Sequence, residues 1–346
     1  MVSRRRLGTQ NTHLLLLALL LLPACTGVPD DTGKPEADAD TDADTDSDTD
    51  ADNDTDTDVS PVDPDTVPLA GECADDVHWG AFLVDSTEDY AYVTGSLSAG
   101  VVPVAVLTRV LDSGDCTIWR RENPFCDPSC DPGYTCDLTG ECVPYPTTQD
   151  LGTVTLTGLS QAVSMEPVTP GYTYFDTSIP NPPWVPGELL TLSTSGGAYE
   201  PVTLYGVAPA PLVPVSMNWV IVEGEPLTVA WDVPSGAVRT ELALTLRIDQ
   251  HGTTPSSIEC VFADDGTAEV PADVIQALMG FGVTGFPAGD LLRRTADSTE
   301  IGAGCIDLSA TSSRLAHVEI AGYTPCTRDE DCPDGLTCNE PLERCE

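Results

Sequence analysis

Apolar and polar residues alternate along most of this chain, and the period is two. Leu227, Val229 and Trp231 alternate with Thr228, Ala230 and Asp232. Leu242, Leu244, Leu246 and Ile248 alternate with Ala243, Thr245 and Arg247, and Ile258, Cys260 and Phe262 repeat the pattern, as do Val154 and Leu156. A period of two places each apolar set on one face of a half-buried strand. Further strands are expected over 81–84, 90–96, 102–107, 116–120 and 151–159. Long helical periodicity is absent. One short helix is expected over 271–279, with Pro271 at its first position and Val274, Ile275 and Leu278 on its apolar face. Thirty Pro and 29 Gly punctuate the gaps. Many short strands with frequent turn signals predict an all-β chain of sandwich segments rather than a parallel sheet.

The N-terminal pattern is different. Arg4, Arg5 and Arg6 precede a nine-residue run, Leu14 to Leu22, broken only by Ala18. The run is too short to span a bilayer but has the length of a signal-peptide core. It ends in Leu22-Pro23-Ala24-Cys25, which resembles the lipobox of bacterial lipoproteins. That resemblance implies cleavage of residues 1–24 and lipidation of Cys25. Pro23 departs from the usual small or β-branched residue, and an ordinary signal peptide cut after Ala24 is the alternative. Cysteine parity favours the lipobox: of 13 Cys, twelve remain for six disulfides once Cys25 is set aside. Ser3 to Leu7 faintly resembles a twin-arginine signal, but the greasy core and the disulfides favour the general secretory route. Thr26, at the second mature position, carries no acidic retention signal, which by resemblance to lipoprotein sorting points to the outer membrane and the cell surface.

Residues 25–70 are expected to form an acidic linker, lipidated at Cys25 as the lipobox resemblance implies. From Asp38 to Asp58 every second residue is Asp, giving eleven carboxylates with no basic residue among them. Such a segment repels itself, lacks core-forming side chains and is expected to stay disordered. Its 45 residues from Thr26 to Ala70 reach at most about 150 Å. The D-x-D-x-D run lacks the Gly and Glu of an EF-hand loop, so the expectation is no cofactor beyond weak Ca²⁺ association. The formal net charge is −42, and the 276 residues after Ala70 carry 40 acids against ten basic residues. That balance excludes nucleic acid and anionic lipid surfaces as partners and favours solubility, cations or basic partners.

Two cysteine modules form an internal repeat. Cys126-x3-Cys130-x5-Cys136-x5-Cys142 interrupts the strand pattern, and Cys326-x5-Cys332-x5-Cys338-x6-Cys345 follows it. Their centres, Cys130-Asp131-Pro132-Gly133-Tyr134-Thr135-Cys136 and Cys332-Pro333-Asp334-Gly335-Leu336-Thr337-Cys338, share C-x-x-G-x-T-C. The Gly can supply the positive φ of a tight turn. Each module is too small for a hydrophobic core and needs two disulfides. Zinc is the competing reading, although x5 spacings do not suit a four-cysteine site. For Cys73, Cys116, Cys260 and Cys305 the simplest expectation joins nearer partners, Cys73 to Cys116 and Cys260 to Cys305.

Leu227-Thr228-Val229-Ala230-Trp231-Asp232-Val233-Pro234 resembles the second strand of fibronectin type III and immunoglobulin-like domains, which implies a β-sandwich domain over 166–322; residues 71–165 are expected to form a β-rich domain with the module at 126–142 inserted between two strands. The module at 323–346 closes the chain. By resemblance to small EGF-like and colipase-like units, each module pairs first with third and second with fourth cysteine. The whole layout resembles secreted lipoproteins of myxobacterial type, a class that brings an address and an architecture but no catalytic residue.

Catalytic signals are sparse. Besides His13 in the leader, the histidines are His78, His251 and His317. His251, at the end of a predicted strand beside Asp249, is the candidate general base or metal ligand. No G-x-S-x-G, H-E-x-x-H or G-x-x-x-x-G-K is present, and Asp264-Asp265 before Gly266 reads as a hairpin turn. Tyr172, Tyr174, Phe175 and Trp184 lie in a Pro-rich stretch that reads as a loop, where rings can stack on sugars or anchor a protein, or else pack over a sheet end. The resulting expectation is a non-enzymatic surface lipoprotein that displays β-sandwich domains to a protein or glycan. The alternative is an exported hydrolase acting on polysaccharide or protein through acidic or His251-based catalysis.

Overall fold

The computed structural model describes residues 62–103, 107–120, 126–137, 139–235, 239–248, 256–283, 286–341 and 343–346. The leader, Cys25, nearly all of the acidic linker and His251 lie outside the described residues. In chain order the first strands are β1 (His78–Ser86), β2 (Ala91–Leu97), β3 (Thr108–Ser113), β4 (Cys116–Arg120), β5 (Tyr134–Cys136), β6 (Cys142–Pro144), β7 (Val154–Thr157), β8 (Val163–Met165), β9 (Tyr174–Asp176), β10 (Leu189–Thr194) and β11 (Thr203–Val207). There follow β12 (Asn218–Ile221), β13 (Leu227–Ala230), β14 (Glu241–Ile248), β15 (Ser256–Ala263), β16 (Thr267–Val270), α1 (Ala272–Gly280), β17 (Ala288–Ile301), β18 (Gly304–Ile320), β19 (Cys338–Asn339) and β20 (Arg344–Cys345).

The expected all-β architecture, with its one short helix, is present. Ten strands form one sheet in the order β3-β4-β15-β14-β17-β18-β1-β2-β9, with β12 also paired to β18. The sheet takes strands from both sides of the boundary expected at 165 and 166, so that boundary does not divide it. Its centre is the β17–β18 hairpin, whose unbroken register runs from Gly289 opposite Ala316 to Ile301 opposite Gly304. Residues directly opposite in an antiparallel pair share a face. Leu291, Ile301, Ile306, Leu308, Ala310, Val318 and Ile320 therefore all point to one side of the hairpin, yet they belong to two separate cores.

The first core lies over the tip half of the hairpin. Phe82 and Val84 of β1 and Val93 of β2 pack there against Leu156 of β7, Leu190 and Leu192 of β10 and Leu204 of β11. Those strands belong to a four-stranded sheet, β11-β10-β7-β8. Gly95 sits opposite Phe82, and a Cβ there would come within 2.1 Å of the Phe82 ring, so the large ring is accommodated by the absent side chain. The second core lies over the base half. There Leu242, Leu244 and Leu246 of β14 and Ile118 of β4 face Leu227 and Val229 of β13, Val270 of β16, and Val274, Ile275 and Leu278 of α1.

Between the cores the same face is polar. Arg293 is 1% exposed. Its Nε donates to Asp264 Oδ2 at 2.7 Å and its Nη2 to Oδ1 at 3.0 Å, while Nη1 reaches the Pro211 carbonyl at 2.8 Å and Nη2 the Asp232 carbonyl at 2.8 Å. Asp264 also accepts from Trp231 Nε1 and Thr240 Oγ1, each at 2.7 Å. Thr295 Oγ1 donates to the Val207 carbonyl, Ser312 Oγ accepts from Leu212 N, and Asp297 accepts from Tyr205 N. These side chains hold the chain as it crosses from one sandwich to the other. Asp264 is thus a buried ion-pair partner rather than half of an exposed hairpin turn; β15 and β16 flank it but do not pair with each other.

All twelve expected cysteines are paired. The modules follow the pattern first with third and second with fourth: Cys126–Cys136, Cys130–Cys142, Cys326–Cys338 and Cys332–Cys345. Gly133 and Gly335 take φ of 88° and 93°, as their shared motif predicts. The other four cysteines correct the nearest-partner expectation. They form Cys73–Cys305 and Cys116–Cys260, because Cys116 sits directly across from Cys260 in the β4–β15 ladder and the leading segment runs beside the start of β18. Residues 104–106 of the strand expected over 102–107 lie outside the described residues; β3 begins at Thr108.

Removing one partner of the Arg293–Asp264 pair leaves an uncompensated buried charge. Arg293→Met and Asp264→Asn are each expected to cost about 3–5 kcal/mol in chemical denaturation. Tyr174→Phe, which deletes a buried hydroxyl bonded to Leu151 N and the Gly152 carbonyl, is expected to cost about 1–3 kcal/mol.

Candidate functional site

Among the described residues no second sheet packs on the other face of the ten-stranded sheet. Over it, a trough of about 440 Å³ opens between the leading segment, Glu72 to His78, and the β3–β4 turn at Asp115. Its floor is built by alternate residues of five strands: Thr117 and Trp119 of β4, Glu259 and Val261 of β15, Ala243 and Thr245 of β14, Leu292 and Arg294 of β17, and Asp307 of β18. The same alternation that buries Ile118, Ile258 and Leu291 sends these residues to the opposite side. Cys73–Cys305 and Cys116–Cys260 fix the two walls to the floor.

Five carboxylates line the trough, those of Glu72, Asp75, Asp115, Glu259 and Asp307, against Arg294 and His78. Arg294 donates to Glu241 Oε1 at 3.0 Å and makes a two-pronged contact with Glu72. His78 Nε2 lies 3.5 Å from Asp307 Oδ2 and 3.0 Å from the Gly80 carbonyl. Hydrogen bonding to Asp307 holds the His78 pKa above its ordinary value, against the opposing pull of burial. Glu259 is raised as well, first by desolvation and then by the charges of Asp75 and Glu72, with the Ser257 hydroxyl opposing. The trough therefore offers many hydrogen-bond acceptors, one fixed guanidinium and the half-buried indole of Trp119. It suits hydroxyl-rich or cationic ligands and repels anions.

The aromatic residues expected to contact a ligand are mostly elsewhere in role. Tyr174 is fully buried and Trp184 nearly so, both within the first core, and Trp184 Nε1 donates to the Pro209 carbonyl at 2.9 Å. Neither is available to a ligand. Their stretch packs over the sandwich, and each ring's polar atom finds a backbone partner, which is what allows Tyr and Trp to be buried. Phe175, the neighbour on the opposite side of β9, is exposed, and Tyr172 is half-buried at a φ of 42°. The structure does not gather the four into one site. His317 is exposed beside Glu319. His78 and Trp119 were not singled out by the sequence; His78 heads an alternating strand, but its partner Asp307 is 229 positions away.

As metal ligands the cysteine modules are already committed. The sulfur clusters of Cys126, Cys130 and Cys142 and of Cys326, Cys332 and Cys338 are consumed by disulfides.

No family model matches the sequence, and no curated protein does. Among solved structures, a Ca²⁺-stabilized adhesin with which an Antarctic bacterium binds ice overlaps 74% of this chain at 12% identity and a TM-score of 0.19. This chain spans about half of that one, 52%. The first three fibronectin domains of chicken CNTN1 overlap 65% of this chain and 70% of their own at 7% identity and a TM-score of 0.16. Murine CEACAM1b overlaps 70% of this chain and 99% of its own at 8% identity and a TM-score of 0.14. At these TM-scores the overlaps add nothing to the β-sandwich architecture already described.

The raised pKa values set a pH dependence. A histidine raised in the fold contributes stability that is fully present below its unfolded value, about 6.5, and is lost as pH rises through the folded value. A carboxyl raised by burial acts in the same direction, because its charged form is the disfavoured one. Thermal unfolding is therefore expected to show stability falling from pH 6 to pH 8, and His78→Gln is expected to flatten that fall.

Proposed function

We propose that this protein is a lipid-anchored surface protein, held by Cys25 and an acidic linker, whose rigid double sandwich binds surface glycan through the trough. The observation that carries the ligand class is the combination in one trough of Trp119, a fixed guanidinium and several carboxylates. A ring face can stack on the indole while its hydroxyls donate to the carboxylates. The disulfides on both walls favour binding without rearrangement, which lowers the ordering cost of association. The anchor rests on the Leu22-to-Cys25 motif and on a cysteine count that leaves twelve for disulfides once Cys25 is set aside.

A second reading is favoured by one residue. Glu259, raised by desolvation in an open trough, has the character of a general acid, and the same ligand would then be a hydrolase substrate.

Intact mass of membrane-extracted protein is expected to show diacylglycerol and acyl groups on a chain beginning at Cys25, and a gain of twelve hydrogens on reduction. Binding to a panel of neutral bacterial polysaccharides is expected to weaken about tenfold in Trp119→Ala, the loss of one stacked ring. If Glu259→Gln instead preserves binding and abolishes release of sugar, the hydrolase reading replaces the binding one.

A further inference from the structure

The far end of β1 carries a second cleft, and it is built around a buried carboxylate without a counter-cation. Asp85 is 5% exposed. Its oxygens accept from Thr311 Oγ1 at 2.6 Å and Ser313 Oγ at 2.7 Å, both neutral donors. Among the described residues no ammonium or guanidinium lies within ion-pair distance of it. A buried carboxylate is costly unless an opposite charge approaches it. Directly opposite Asp85 on β2 stands Tyr92, whose pKa is pushed up to about 12 by burial and by the nearby Asp85. The cleft over them, about 330 Å³, is rimmed by Tyr90, Glu88, Asp89, Met217 and Leu315.

The rim is preorganised. Tyr90 is 57% exposed, yet its turn is pinned at every step. Thr87 N donates to the Tyr90 carbonyl at 2.9 Å, and Tyr90 N donates to Thr87 Oγ1 at 3.0 Å. Asn181 reaches across from the 176–186 stretch, donating to the Thr87 and Glu88 carbonyls and accepting from Ser86 Oγ. The Tyr90 and Tyr92 rings lie 5.9 Å apart at 34°. Leu315, 83% exposed, and Met217 supply an apolar lip. Arg314 also lines the cleft, and its Nη1 donates to the Ser313 carbonyl at 2.6 Å.

We propose that this cleft receives a lysine or arginine side chain of a basic partner protein. The cation would lie against the tyrosine ring faces, within reach of the field of Asp85, Glu88 and Asp89. The apolar stem would cover Met217 and Leu315, as long cationic side chains do on apolar surface. Charge complementarity selects such a partner: the chain after Ala70 carries 40 acids against ten basic residues. The cleft sits at the opposite end of β1 from the trough and does not depend on the glycan reading.

Calorimetric titration of the full chain with a tetralysine peptide, at about 0.15 M salt to screen diffuse attraction, tests this. Tyr90→Leu is expected to weaken binding about fivefold, the equivalent of one cation–π contact, and Asp85→Asn to weaken it further. Leu336→Ser, at an exposed position of the C-terminal cysteine module, is expected to leave it unchanged. Tyr90 is a surface residue, so its variant keeps the test valid if Asp85→Asn fails to fold. Equal binding by wild type and Tyr90→Leu, or equal binding of a peptide with every side-chain amine acetylated, would overturn the proposal. Tighter binding of a neutral oligosaccharide than of tetralysine, lost in Tyr90→Leu, would overturn it in favour of a sugar platform.

Discussion

The buried pair of Arg293 and Asp264 is the constraint on which the rest of this structure depends. One long hairpin presents a single apolar face to two different partners, a four-stranded sheet at its tip and a strand pair with a helix at its base. The chain has to cross the hairpin between them, and the crossing brings backbone carbonyls into a region closed to water. Those carbonyls need donors. Arg293 supplies them in a fixed planar fork, and Asp264 neutralises the charge that comes with the fork. The ion pair is therefore better understood as a device that makes the junction of two cores chemically admissible than as a source of net stability.

The consequence is that two sandwiches behave as one body. Thr295, Ser312 and Asp297 extend the polar band along the same face and fasten the segment from Tyr205 to Leu212. The two disulfides outside the modules join positions 232 and 144 residues apart in the chain, and both tie peripheral segments back to the same sheet. The open face of that sheet is then rigid by construction. Both the trough and the tyrosine cleft are built on it, at the two ends of β1, with floor side chains aimed outward by strand alternation and rims supplied by the leading segment and by the Thr87–Tyr90 turn.

How much of this could be read from the sequence varies with the range of the interaction. The strands at 242–248 and 258–262 and the helix after Pro271 were legible because period and flanking residues are local. The module disulfides were legible through their likeness to small units and the repeated glycine. Cys116–Cys260 was not, because cross-strand register between distant strands leaves no local trace. Asp264 read as a turn residue because Asp-Asp-Gly is turn-like, and nothing near it in sequence announces Arg293. For Tyr174 and Trp184 the surrounding prolines left a ligand-contacting loop and packing over a sheet end both open, because the backbone partners of the hydroxyl and the indole, which decide for packing, lie 22 to 25 positions away. For the trough, only its acidity was legible, as the overall charge balance; its shape is a property of five strands at once.

The Cys73–Cys305 bridge also sets how this chain would answer to tension. Pulled between its N-terminal linker and its C-terminal cysteine module, the chain carries force from residue 73 straight into residue 305. The 232 positions between them, a contour of roughly 800 Å when extended, are shielded from the load. Both sandwich cores and both clefts lie largely inside that shielded loop. Of the two binding faces, only Glu72 at the trough and the residues that β18 contributes, Asp307 to the trough and Ser313, Arg314 and Leu315 to the cleft, lie on the loaded side of the bridge, and the β1 and β17 ladders on either side hold that strand in place.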